Sequence, residues 1–234
     1  MEFKSGCLIC GQELVYLPQA ELLSCFYCGQ SQETNARCIN GHYICDHCHS
    51  LTANDLIEQF CNHTLETDPL QLAITLMKNP AIKMHGHEHH FLVPAVLLTA
   101  YYNQLGSEDK AARLQQARKR AEKVLGGFCG LYGDCGAGVG TGIFISVMTG
   151  ATPLSGKEWK LCNRMTAESL MEISEYGGPR CCKRDTYLAI LTADRFMKKN
   201  FNTTFGMDQQ VTCEFYPLNN ECLHLECPFY RPHK

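Results

Sequence analysis

The sequence predicts a mainly α protein, an all-helical domain preceded by a small cysteine-rich finger. Three observations lead there. Soft, metal-ligating side chains crowd the first fifty residues, a stretch too short to build a core of its own. From Asp68 onward the chain reads as a succession of capped, apolar-periodic segments. Nothing in that part alternates like a strand before a short stretch at 210–216. The 234 residues therefore divide into a finger at 1–62, a helical domain at 63–206 and a cysteine-rich C-terminal tail at 207–234 that packs on the helical domain.

In the finger, Cys7-x2-Cys10, Cys25-x2-Cys28 and Cys38-x3-His42-x2-Cys45-x2-Cys48 supply eight ligands. Two closed tetrahedral zinc sites need that number. Two pairings are open: Cys25, Cys28, Cys45 and Cys48 on one ion with Cys7, Cys10, Cys38 and His42 on the other, or a sequential pairing along the chain. Either way zinc replaces a core too small to fold alone, and the finger also offers a surface for a protein partner.

The helical elements follow from their punctuation. Cys45 and Cys48 open a helix at 52–60. Asp68-Pro69 is an N-cap with proline at the first position, starting a helix at 69–78. Residues 91–104 read as a buried helix with Pro94 in its first turn. Ser107 caps the next, which closes at Gly126-Gly127. Residues 137–148 are small and apolar, as in a tightly packed central helix. Ser155-Gly-Lys-Glu158 is a capping box for a helix that Gly177-Gly178-Pro179 stops. A last helix starts at Cys182 or Lys183 and ends near Asn200.

Four constellations in this part can carry chemistry. The stretch 126–142 sets Cys129 and Cys135 among eight glycines. Glycine lets backbone approach a ligand closely, so thiolates there point to a metal or cluster, with a loose helix–helix turn as the alternative. No strand precedes the loop, which excludes a dinucleotide fingerprint. His85-Gly-His87-Glu88-His89-His90 gathers imidazoles and a carboxylate before a buried helix, so His87, His89 and Glu88 are candidate catalytic acid–base residues. At Cys181-Cys182 a helix N-terminus and the neighbours Arg180, Lys183 and Arg184 are expected to lower the thiol pKa. Near the C-terminus Cys213-x8-Cys222-x4-Cys227-Pro228 ends in a cysteine–proline pair typical of iron–sulfur ligation. Its fourth ligand is Cys162, Cys61 or His224, unless one coordination position stays open.

Composition limits what this chemistry serves. A net charge of -3 and a pI near 6.4 give no bulk attraction for nucleic acid. No apolar run reaches the roughly 18 residues that span a bilayer, so no membrane association is expected. The start MEFKSG has no apolar signal segment. Sixteen cysteines, six of them in three CxxC knuckles, then indicate metal ligation in a reducing, cytoplasmic setting.

Three resemblances add to this. Residues from Cys25 through Cys48 resemble the centre of a RING-type finger, with a treble-clef arrangement in which the downstream CxxC is missing and an extra one lies upstream. The order Phe-Leu-Val-Pro94, Gly133-Asp-Cys135-Gly, Met148-Thr-Gly150-Ala-Thr-Pro153 and Gly177-Gly-Pro-Arg-Cys181-Cys182 resembles the alpha domain of iron–sulfur L-serine dehydratases over residues 85–187. In that family three cysteines hold a cluster and one iron is free for substrate. The resemblance implies that Cys135 and one of Cys181 and Cys182 are ligands of a [4Fe–4S] cluster, with Cys129 the next candidate. It also implies a lyase or desulfidase acting on a small molecule. The histidine run stands where that family has its serine- and threonine-rich substrate loop. Taken whole, the chain resembles an uncharacterised cysteine-rich family of anaerobes. The contrasting expectation is a non-catalytic zinc-binding adaptor.

Overall fold

The computed structural model describes residues 7–49, 51–207 and 210–231. The finger is a two-stranded antiparallel hairpin, β1 (Leu14–Ser24) and β2 (Ser31–Cys38), followed by one helical turn, α1 (Asp46–His49). Ser24 pairs with Ser31 at the tip and Leu14 with Cys38 at the open end, with an irregularity between Tyr16 and Glu21. The tip therefore carries Cys25 and Cys28, and the open end carries Cys38.

The body consists of α2 (Ala53–His63), α3 (Pro69–Met77), α4 (Glu88–Leu105), α5 (Lys110–Ala121), the single turn α6 (Phe128–Leu131), α7 (Gly136–Thr149), α8 (Lys157–Ser174) and α9 (Cys182–Phe201). Side-chain caps open α2 and α3, whereas the later helices start without one. Thr52 Oγ1 accepts the Asp55 N–H, and Asp68 Oδ1 accepts those of Leu70 and Gln71. Gly106 and Gly150 close α4 and α7 in the left-handed region, at φ 61° and 68°, which glycine adopts at little cost.

Helix α4 is buried along nearly its whole length, as expected of a helix apolar on all sides. It contacts α2, α3, α5, α7 and α9. The glycines of α7 make its close approaches. A Cβ on Gly142 would overlap Thr166 Oγ1 and stand 3.1 Å from the Cys162 carbonyl on α8, and one on Gly140 would stand 2.9 Å from Pro94 Cδ on α4. Small residues thus let α7 lie between α4 and α8.

Several sequence expectations change. Helix α4 begins at Glu88, not 91, so the second half of the histidine run is helical rather than a mouth before the helix. Helix α5 ends at Ala121, and a further turn, α6, forms inside the glycine-rich stretch. Residues 210–216 are not a strand. The Cys213 N–H is donated to Phe229 O, and the segment continues into 3-10 turns at Tyr216–Leu218 and His224–Glu226. Helix α2, assigned from sequence to the finger, packs on α4 and α5, and Arg118 of α5 pairs with its Asp55 and Glu58 at 2.7 and 2.6 Å.

The finger is seated on this body. Tyr27 is fully buried and its hydroxyl accepts the Asn79 side-chain amide at 2.9 Å, while Phe26 stacks on Phe60. Among the described residues no helix is long and apolar enough to cross a membrane.

Candidate metal centres

Two quartets form in the finger. Cys7, Cys10, Cys38 and His42 gather at the open end of the hairpin, and Cys25, Cys28, Cys45 and Cys48 at its tip and the start of α1. Within each quartet all ligand atoms lie within 4.8 Å of one another. A tetrahedral zinc with Zn–S near 2.3 Å separates its sulfurs by about 3.8 Å. The Cys10–Cys38 and Cys28–Cys45 sulfur pairs are 3.8 Å apart. His42 presents Nδ1, at 3.4 Å from Cys38 Sγ and 3.8 Å from Cys7 Sγ. Each quartet is thus built to hold zinc, in the interleaved pairing rather than the sequential one.

The knuckles owe their shape to Gly11 and Gly29, at φ 72° and 70°. These follow turns in which Gly11 N–H reaches Cys7 O and Gly29 N–H reaches Cys25 O. Backbone N–H groups of Ile9 and Cys45 point at the sulfurs of Cys7 and Cys25 at 3.4 Å. Burial works against the Cys25 thiolate, but the N–H groups of Cys45, Cys28 and Tyr27 bring its pKa down to about 7. Cys61 lies outside both quartets, fully buried on α2.

In the body, the glycine-rich stretch and the start of α9 enclose a cleft of about 690 Å³. Its lining includes Cys129, Cys135, Arg180, Arg184 and Asp185, with Leu170 and Ile173 on the α8 side. Cys135 Sγ lies 3.8 Å from Asp185 Oδ2, and Arg184 Nε donates to Asp185 Oδ1 at 3.0 Å. Cys182 opens α9 beside them. Burial raises its thiol pKa, and Asp185 and Cys129 add to the rise while Arg180 opposes it. Cys135 is pushed up to about 12 by burial and by Asp185, with a contribution from Cys182. Cys135 and Cys182 thus both feel the Asp185 carboxylate, and Cys129 lines the same cleft as Cys135.

Cys181 turns the other way, into a small chamber that it lines with Cys213, Cys222 and Cys227. Both cysteines at the head of α9 thus have sulfur partners, but different ones. The expectation that this helix start lowers their pKa is corrected. Burial pushes Cys181 up to about 12 and outweighs the helix terminus. Lys183 gives no help, because its ammonium points into the body and donates to Met77 O and Ile82 O. Buried thiols of this kind are inert as nucleophiles at neutral pH, and a bound metal must displace their protons.

Known proteins narrow the identity. The family described as a family of unknown function, DUF5714, matches residues 57–230, which is well over half of the chain. The chain belongs to that family. No curated protein and no solved structure matches it. The region matched to DUF5714 starts within α2 and runs through Cys227, so it takes in both thiol groups of the body and leaves the two finger quartets outside.

The remaining candidates of the DUF5714 region fall elsewhere. His89 is almost fully buried, with Nδ1 2.9 Å from Thr186 Oγ1 and Nε2 3.2 Å from Lys83 O. Both ring nitrogens are engaged, so it is a satisfied core histidine. Glu88 is buried and accepts the Lys83 N–H at 2.7 Å. His87 is exposed at the start of α4. None of the three lines the cleft. His90 comes closer, since its ring covers Gly136 next to Cys135, with Nδ1 2.8 Å from Val124 O. Cys162 sits on α8 near Ser146 and Arg120 and joins neither thiol group. His224 is also absent from the chamber wall. Sequence reasoning missed Asp185, whose only signal was its place one turn after the cysteine pair.

The burial of His89 has a pH consequence. Desolvation holds its pKa well below the ordinary 6.5, and His90 is lowered for the same reason. The unfolded chain therefore takes up protons below about pH 6.5 that the folded chain refuses. Stability present above that pH is lost as pH falls, by up to ~1.4 kcal/mol per pH unit for one such group. Urea denaturation followed by far-UV circular dichroism is expected to show this acid limb, with a shallower slope in His89→Gln. An unchanged slope would contradict the assignment.

Proposed function

We propose that the chain is an iron–sulfur-dependent enzyme that removes water or hydrogen sulfide from a small acidic molecule bound in the cleft. What carries this reading is a cleft lined by Cys129, Cys135, Asp185 and Arg180, with Cys182 near enough to Cys135, Cys129 and Asp185 to feel their charge. A [4Fe–4S] cluster on three thiolates would supply one iron as a Lewis acid for the departing hydroxyl or thiol. The chain's own residues do the rest. Arg180 binds a substrate carboxylate, for which its planar guanidinium is suited. Asp185 moves the proton: burial raises its pKa, against the pull of Arg184, toward the range useful for proton transfer. Leu170 and Ile173 keep water off the reacting carbons. The elimination is redox-neutral, since a C–H and a C–O or C–S bond break, a C=C bond forms, and the proton leaves with hydroxide or hydrosulfide. The resemblance of the motif order to the dehydratase alpha domain favours this reaction class. The histidine run has no part in it.

A second reading draws on the hairpin, where Tyr16 and Leu22 are 76% and 70% exposed. In it the finger docks a protein partner and the chain is a zinc-binding adaptor. Anaerobic purification separates the two. The enzyme reading predicts a brown protein from which Cys135→Ser removes about four irons per chain. Colourless protein with zinc alone would overturn it in favour of the adaptor.

A further inference from the structure

We propose that Cys181, Cys213, Cys222 and Cys227 hold a second [4Fe–4S] cluster whose coordination is closed to substrate. The site goes beyond the cleft and does not depend on it. Three of its thiols come from the C-terminal tail and the fourth from the head of α9, and all four line one chamber.

The spacing argues against a single zinc. Four sulfurs on one zinc stand about 3.8 Å apart and fill the space between them. Among the described residues only the two finger quartets close to within 4.8 Å. The chamber thiols instead line a shared void of about 20 Å³ without closing on a single point as the finger ligands do. Wider separation around a central void is what a polynuclear cluster needs.

A second observation is independent of the sulfurs. Arg184, 3% exposed in its side chain, stands between the chamber and the cleft and lines both. Its Nε donates to Asp185 and its Nη2 to Gly177 O at 2.8 Å. Its Nη1 is buried without a hydrogen-bond partner. A buried guanidinium nitrogen left unpaired is costly, and a thiolate-ligated cluster carries the negative charge that would satisfy it. Further donors point at the sulfurs. Asn219 Nδ2 lies 3.6 Å from Cys181 Sγ, and the His224 N–H lies 3.4 Å from Cys222 Sγ. Hydrogen bonds of this kind set the potential of a cluster. Tyr216, Phe229 and Tyr230 complete the chamber wall.

Because Cys181 and Cys182 are consecutive, this cluster would stand beside the one in the cleft. Four thiolates leave no iron free, so it can fasten the tail to α9 and exchange electrons but cannot bind substrate.

The test counts iron and sulfide in anaerobically purified full-length protein, the Cys135→Ser and Cys222→Ser variants and the double variant, with circular dichroism as the check on folding. The expected counts are about eight, four, four and none of each per chain. Iron that survives Cys135→Ser and disappears when Cys222→Ser is added supports the inference even if the cleft proves metal-free. Iron lost with Cys135→Ser and untouched by Cys222→Ser overturns it while leaving the cleft reading standing. Should Cys222→Ser fail to fold, Mössbauer spectra of Cys135→Ser decide: a [4Fe–4S] cluster with four cysteine-ligated irons is expected, and mononuclear iron, or one zinc in its place, would overturn the proposal.

Discussion

Serine in place of Cys25 or Cys45 is expected to release one zinc and open the finger to protease, while the helices from α3 to α9 persist. Structural zinc contributes on the order of 10 kcal/mol to modules of this size. That is comparable with the whole stability of a typical domain. The hairpin cannot replace it, because β1 and β2 make a two-stranded sheet with most side chains partly or fully exposed, which is marginal alone. Limited proteolysis with zinc counted by mass spectrometry checks this. A variant as resistant as the parent across the hairpin would contradict the zinc assignment.

Tyr27→Ala is expected to cost about 3–5 kcal/mol, the range for truncating a fully buried large aromatic. The side chain leaves the finger to join the core near Phe60 and bonds Asn79, so its loss opens a cavity at the seam and orphans an amide. The variant should keep both zincs yet show a lower Tm for the helical body. Tyr27→Phe, which removes only the hydroxyl, should cost about 1 to 2 kcal/mol. Equal Tm values for Tyr27→Ala and the parent would mean that finger and body are not joined there. The same seam explains why the zinc-ligand variants should also lower the Tm of the body without unfolding it.

What the sequence disclosed tracks how local the governing physics is. The helix start at Asp68-Pro69 and the stop at Gly177 were legible because caps and left-handed glycines act within a turn. The finger quartets were legible as eight ligands because a CxxC knuckle is a local structure. Their pairing was not, since it depends on the hairpin register that sets Leu14 opposite Cys38. The surroundings of the histidine run were not legible, because four imidazoles look alike on paper. In the fold His89 is absorbed by Thr186 and Lys83, partners that tertiary packing alone supplies. Cys181 and Cys182 are neighbours in sequence, yet successive residues at a helix start point about 100° apart. No spacing rule could say that one faces the glycine-rich stretch and the other the tail.

The account stands on iron–sulfur ligation by the body of the chain. Its most direct test is the metal and sulfide content of protein purified without oxygen. The account predicts two zinc together with about eight irons and eight sulfides per chain. Zinc alone, with no acid-labile sulfide, would contradict it.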